Sequence, residues 1–231
     1  DKYGTELYNA MTQPLFRVNQ DGKRFISEEM NQLDPCMYGN AHVQQKAVYQ
    51  IMTKADLERF TTEGAPCSLP YYQANTPLPD LLNQIDKIAK MNKGNIFVAD
   101  TIDELADMIN IDKATLKESI ERYNGYCQTG KDLEFGKSAQ FLLPIGEGPY
   151  YAFKVKCGYF CTNDGLEVTP QAQVLDMNGE VIPGLYAGGN DAGGWCGDTY
   201  DIALVPGTTQ GWAVNSGRFA AEDAARYLNK L

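Results

Sequence analysis

No GxGxxG occurs anywhere in this chain of 231 residues. It therefore lacks the fingerprint with which a first strand and helix hold a dinucleotide pyrophosphate. Histidine is nearly absent as well: there is one, His42, in the polar stretch GNAHVQQK, where a surface position is expected. A Ser-His-Asp or Cys-His mechanism would rest on that single ring with no nucleophile elbow in sight, and histidine-rich metal sites are excluded. CxxC pairs are missing. The six cysteines (Cys36, Cys67, Cys127, Cys157, Cys161, Cys196) are scattered, and the one close spacing, Cys157 to Cys161, has no second pair to complete a zinc site. A chain of this size needs no disulfide staples, so free, mostly buried thiols are expected. Basic charge is in deficit: 20 Lys and Arg against 30 Asp and Glu, net −10. That argues against nucleic acid, whose phosphates demand a basic face, and against docking on anionic lipid. No apolar run approaches the ~20 residues that span a bilayer. No signal peptide or tail anchor is visible, so either none exists or the chain is an internal piece of a longer one.

Hydrophobic residues make up 43% of the chain, enough for one large or two modest folded domains. QPLFRVNQDGKRFISEE (13–29) reads as strand, turn, strand, with the turn at Asn19–Gly22. Residues 30–75 lack clear periodicity apart from a strand at AVYQIM (47–52) and a short helix at KADLERF (54–60). Leu81, Leu82, Ile85, Ile88 and Ala89 have helical spacing, and Ile96–Ala99 is a short strand. Thr101 and Glu104 form a capping box, opening a helix that ends near Asn110. A further helix follows Asp112 through Leu116, Ile120 and Tyr123, with Asn124-Gly125 beginning its end. Near residue 148 the texture changes, and a domain boundary is placed there, giving 1–148 and 149–231. Beyond it come strands at 150–155, 166–168 and 173–176, a hairpin turn at Asn178-Gly179, and a buried strand Leu185-Tyr186-Ala187. A long helix, 208–228, is expected to pack Ala213, Val214, Ala220, Ala221, Ala224 and Leu228 inward.

Two stretches carry chemistry. In GLYAGGND a short strand ends in Gly188-Gly189, which lets the backbone approach a bulky ligand. Asn190 and Asp191 follow, able to bond ribityl or ribose hydroxyls. Val205-Pro206-Gly207-Thr208 then opens the last helix, whose free amides and positive dipole end suit a flavin carbonyl. Taken alone, these residues leave cofactor binding and an ordinary structural turn both open.

The order QPLFRVNQDGKRFISEE, LKESIERYNGYCQTGKDLEFGK, PYYAFKV, DGLEVTPQAQVLDMNGEVIPGLYAGGNDAGG and GRFAAEDAA resembles the fumarate reductase/succinate dehydrogenase flavoprotein family over almost the whole chain. Flavocytochrome c and the ketosteroid dehydrogenases are relatives within it. The resemblance implies an α+β chain: a capping, substrate-side domain at 1–148, then the C-terminal remainder of an α/β FAD-binding domain at 149–231, without the N-terminal Rossmann unit. It implies FAD as cofactor, weakly held or absent in this chain alone. The partners it implies are an upstream FAD-binding segment of the same protein, a small-molecule substrate and an unspecified redox donor or acceptor.

In that family a hydride passes between flavin N5 and a substrate carbon while an acid or base handles the proton. Where its fumarate-reducing members carry an arginine after the GKRF-type hairpin, this chain has Gln32. Where they carry a histidine before the Gly-Gly-Leu strand, it has Phe160 and Cys161. A second arginine position aligns with Leu204. All three departures remove groups that would bind or protonate a dicarboxylate. Aromatic residues remain: Tyr159, Phe160, Trp195 and Tyr200, which suit a flatter, less charged substrate. Tyr159 or Tyr200 is the candidate proton donor, oriented by Asp201 or Arg17. Arg24 and Glu28 read as a structural pair, and Tyr123 and Asn124 as cap packing. Competing readings are a non-catalytic domain that retains the fold and a ketosteroid-type dehydrogenase working oxidatively.

Overall fold

In the computed structural model the described residues are 4–67, 73–91, 94–158, 164–197, 200 and 205–229. The chain divides into two compact units, residues 1–32 with 37–157, and residues 33–36 with 158–231.

The first unit is built on a four-stranded antiparallel sheet of β1 (Arg17–Asn19), β2 (Val48–Thr53), β3 (Ile96–Ala99) and β4 (Tyr150–Val155), in the order β1-β2-β4-β3. β2 is central, with Val48 opposite Val155 and Thr53 opposite Tyr150. Every residue of β2 is buried, because both faces of the sheet are covered; this is why AVYQIM shows no polar alternation. On one face Val18, Tyr49, Ile51 and Ala152 join a core with Leu105, Leu116 and Tyr123. On the other, Met52 and Phe153 meet Leu7, Leu57, Phe60, Leu81 and Ile85.

Helices α1 (Thr5–Thr12), α2 (Met30–Leu33), α3 (Pro35–Val43), α4 (Lys54–Thr62), α5 (Leu81–Met91), α6 (Ile102–Ile109) and α7 (Lys113–Thr129), with a 3-10 turn at Ala139–Phe141, complete the order up to β4. The capping box at α6 forms as expected: Glu104 N donates to Thr101 Oγ1 at 3.2 Å, and Thr101 N to Glu104 Oε2 at 3.2 Å. Asn110 closes the helix in the left-handed region, φ 56°. α7 runs on through Asn124 and Gly125 to Thr129, stopping at Gly130 with φ 67°. The predicted stop at Asn124-Gly125 fails because Asn124 spends its side chain on Ile145, accepting from its N at 2.8 Å and donating to its O at 2.9 Å.

The structure corrects three more expectations here. Phe25 and Ile26 form no strand. After a tight turn in which Asn19 Oδ1 accepts from Asp21 N and Lys23 N, the chain swings Arg24 inward onto Glu28 instead of pairing with β1. The stretch around residues 35–43 is helical, not irregular. The boundary lies after Cys157, not at 148, because Tyr150–Val155 is hydrogen-bonded between β2 and β3.

The second unit holds a two-stranded antiparallel sheet of β5 (Gln173–Leu175) and β6 (Val181–Tyr186), and the helix α8 (Thr208–Leu228). Asp176 Oδ1 ties the hairpin turn, accepting from Asn178 N at 2.8 Å and Glu180 N at 2.9 Å. Gly179 takes φ 80° there. The core is small: Val174, Ala187 and Ala192, with Val168 and Trp212 against them. Of the strand expected to be buried, Ala187 is, but Leu185 is 44% exposed, and Val181 and Ile182 earlier in β6 are 38% and 37% exposed. Nor does the predicted inner face of α8 all pack, since Val214 and Leu228 are each 66% exposed. Ala213 and Ala221 are exposed too, and only Ala220 and Ala224 are half-buried. Among the described residues, this unit offers too few apolar partners to cover both elements.

Candidate active site

The glycine turn is built around α8. Gly189 N donates to Ser216 Oγ at 2.9 Å, Trp212 Nε1 donates to Gly189 O at 2.9 Å, and Ser216 Oγ donates to Trp212 O at 2.7 Å. A Cβ on Gly188 would lie 3.0 Å from Ser216 Oγ, so this glycine lets the turn sit on the helix. Gly189 has φ 62°. The next glycine contact is tighter. A Cβ on Gly165 would fall 2.6 Å from Asp191 O, where Leu166 N donates at 2.8 Å and Gly193 N returns to Leu166 O at 2.9 Å. The turn glycines thus serve close packing within the unit, while Asn190 and Asp191 are exposed at its surface.

The start of α8 differs. Gly207 holds φ 88° at the cap position, and among the described residues no side chain caps the helix. Thr208 Oγ1 is turned back to Val205 O at 3.2 Å, and Val205 is 55% exposed. Thr209 Oγ1 is buried without a hydrogen-bond partner among the described residues. A helix start leaves its first amides unpaired and carries a partial positive charge. An uncapped start of a 21-residue helix, with one orphaned hydroxyl in its first turn, fits an electron-rich carbonyl such as that of a flavin. Val205, Pro206, Gly207 and Thr208, expected from the sequence at a cofactor, form this helix start.

Beside the turn lies an aromatic cluster. Trp195 and Trp212 stack with ring centres 6.0 Å apart and planes 21° apart, and Tyr200 meets Trp195 edge-on, also at 6.0 Å. Tyr200 is buried, and its backbone N donates to Cys36 Sγ at 3.4 Å. The two tryptophans line a cleft of about 580 Å³ with Asp164, Glu167, Thr169 and Pro170. Trp212 was not singled out from the sequence; its place four residues before the buried Ser216, on one face of α8, is the signal that would have found it. Tyr159, Phe160, Cys161, Asp201 and Leu204 lie outside the described residues.

Arg17 belongs to the first unit, and its donors are used. Nε and Nη2 donate to Gln50 Oε1 at 3.1 and 2.9 Å, Nη1 donates to Tyr38 OH at 2.7 Å, and Nη2 also bonds Met11 O. His42, expected at the surface, is 6% exposed. It packs between Phe25 and Tyr38, with Nε2 at 3.4 Å from Arg17 Nη1. Burial, and then the Arg17 charge, push its pKa down to about 4. Burial pushes the Tyr38 phenol up to about 12.

A second buried set surrounds Arg24, which reaches Glu28 and Asp132 at 2.8 Å each. Lys137 Nζ lies 3.4 Å from Glu28 and donates to Tyr123 OH at 3.0 Å. Burial drives the Glu28 carboxyl up, but Lys137 and Arg24 together outweigh it and hold it below the usual range. For Lys137 burial wins and its pKa is lowered. The Arg24–Glu28 pair is structural, as expected, and Tyr123 is core. Gln32 also has a local task, donating to Thr12 O at 3.0 Å. Among the described residues no group of His, Cys, Asp and Glu is arranged for a metal. Among the described cysteines Cys67 is buried, Cys36, Cys127 and Cys196 are half-buried and Cys157 is exposed.

Residues 12–202 match the FAD binding domain family. The chain is 37% identical to vinyl phenol reductase of Lactiplantibacillus plantarum over 96% of its own length and 45% of that protein's. It is 30% identical to a fumarate reductase (cytochrome) of Shewanella frigidimarina, covering 92% of this chain and 32% of that protein. Among solved structures, 3-ketosteroid delta1-dehydrogenase from Sterolibacterium denitrificans aligns at TM-score 0.70 and 28% identity, over 95% of this chain and 40% of that one. The chain thus spans less than half the length of these relatives. It belongs to the FAD binding domain family, among the fumarate reductase-like FAD-dependent flavoproteins.

Proposed function

We propose that the chain supplies two walls of an FAD-dependent oxidoreductase acting on a C–C bond of a small, flat substrate that is not a dicarboxylate. In this reading the first unit caps the substrate and the second holds the flavin with residues 188–191 and 205–208. The observation that carries it is the uncapped start of α8 with the orphaned Thr209 hydroxyl. Bound FAD supplies a hydride at its N5. The chain's own residues bind the carbonyl edge of the ring through the first-turn amides of α8, wall the substrate with aromatic rings, and deliver a proton. Tyr200 or Tyr159 is the proposed donor, with Asp201 orienting it. Arg17 is assigned to the frame, since every nitrogen of its guanidinium is bonded within the first unit.

The substrate class is supported by what the site lacks. Gln32, where the fumarate-reducing members carry an arginine, is bonded to a backbone carbonyl, and no cation lines the aromatic cleft among its described residues. The names of two relatives, a vinyl phenol reductase and a ketosteroid dehydrogenase, also point to ring compounds. The test is to reduce the purified, FAD-loaded protein with dithionite under anaerobic conditions and add an alkene panel. Reoxidation of the flavin by a styrene or enone, with fumarate inert, is the expected result. Fumarate reacting as fast as the ring compounds would remove the substrate assignment.

A further inference from the structure

The cleft beside the glycine turn has a size, a wall and a charge that together specify a ligand. Its volume of about 580 Å³ lies in the range of small-molecule sites. One wall is Trp195, backed by Trp212 in a 21° stack and by Tyr200 at its edge. Trp212 is itself pinned by its Nε1 bond to Gly189 O, and Trp195 stacks on it. The rim carries Asp164 and Glu167, both exposed. Among the described residues neither enters an ion pair, and their one side-chain bond there is Gly165 N donating to Asp164 Oδ1 at 2.9 Å. No Lys, Arg or His lines the cleft among the described residues. The net charge of the chain, −10, adds to the same negative field.

We propose that this cleft is a charge-selective slot for a flat aromatic ligand, neutral or cationic. The ring lies on Trp195 and a hydroxyl or ammonium end faces Asp164 and Glu167, while carboxylate-bearing analogues are repelled. Stacking is tolerant of ring identity; discrimination comes from the two carboxylates, which accept from a phenol or pair with a cation but have nothing to offer an anion. This deepens the proposed function, on which it rests for the identity of the ligand as substrate, by naming the end group the site selects.

The chain contains two tryptophans, and both line this cleft, so intrinsic fluorescence reports on it without any turnover. The probes are three styrenes of one shape: 4-vinylphenol, 4-vinylbenzyl trimethylammonium and 4-vinylbenzoate. Titrated at low salt, the first two are expected to quench and the benzoate to bind about tenfold more weakly, a gap that shrinks in high salt. Asp164→Asn with Glu167→Gln is expected to close most of that gap. Trp195→Ala is expected to weaken all three by roughly 2- to 12-fold, with Trp195→Phe retaining binding as the control that the unit still folds. Benzoate binding as tightly as the phenol, a gap unmoved by the double substitution, or no quenching by any probe overturns the proposal. Correct ordering without turnover by the FAD-loaded protein leaves the slot standing and defeats the proposed reaction. Turnover with the order reversed does the opposite.

Discussion

His42 gives the sharpest test of the first unit. Its ring is 6% exposed, faces the Arg17 guanidinium at 3.4 Å and has its pKa lowered from 6.5 to about 4. Above the unfolded value both states are neutral and the residue contributes no pH dependence. As pH falls below 6.5 the unfolded chain takes a proton that the folded chain refuses, so stability is lost progressively until the folded ring titrates near 4. At ~1.4 kcal/mol per pKa unit, the full loss is about 3 kcal/mol, of which about 2 kcal/mol has gone by about pH 5. The carboxylates of Glu28 and Asp132, whose folded pKa values are lowered, contribute their own loss mainly below that point. Because the chain has one histidine, its ring protons titrate alone in an NMR spectrum. Urea unfolding of wild type and His42→Gln near pH 7 and near pH 5 then isolates the stability term. The wild type is expected to lose about 2 kcal/mol more than the variant between the two. A ring that titrates near 6.5, with parallel pH curves for the two proteins, refutes the buried geometry.

Other perturbations follow from the same contacts. Glu28→Gln leaves Lys137 and Arg24 short of a buried counter-charge and is expected to cost about 3–5 kcal/mol in urea unfolding; a loss under 1 kcal/mol would mean the network is open to water. Gly165→Ala drives a methyl onto the Asp191 carbonyl, 2.6 Å away. It should make amides of residues 164–168 and 189–193 exchange faster with solvent while those of β2 stay protected, and uniform protection would refute the close approach. Thr101→Ala removes one half of the α6 capping box and should lower stability by about 1 kcal/mol, read as a shift in urea midpoint at unchanged slope.

Much of the first unit was legible because its signals are local. Thr101–Glu104 and the Leu81–Ile88 spacing each settle an element from a few neighbouring residues. α3 was not, because PCMYGNAHV mixes Pro, Gly and Asn with apolar residues at no helical period; its position comes from Tyr38 and His42 closing over Arg17. Phe25-Ile26 look like a returning strand, yet a buried Arg24–Glu28 pair decides the path, and such a pair is visible in sequence only as two common charges. β6 shows the reverse error. Leu185-Tyr186-Ala187 reads as a buried strand, but burial depends on what covers a strand, and nothing in its own residues says whether a cover is at hand. Of the candidate site, the start of α8 was legible from Pro206-Gly207. The tie from Trp212 to Gly189, 23 residues apart, was not, because it exists only once helix and turn are stacked.

The central claim is that the start of α8 faces the electron-rich edge of a bound flavin. The most direct measurement is the two-electron midpoint potential of the flavin in the FAD-loaded protein and in its Thr208→Asp variant. Aspartate is well tolerated in a first helical turn, so the fold should survive. The added negative charge should disfavour the reduced flavin and lower the potential by roughly 30 mV for each ~1.4 kcal/mol of repulsion. An unchanged potential would contradict the claim.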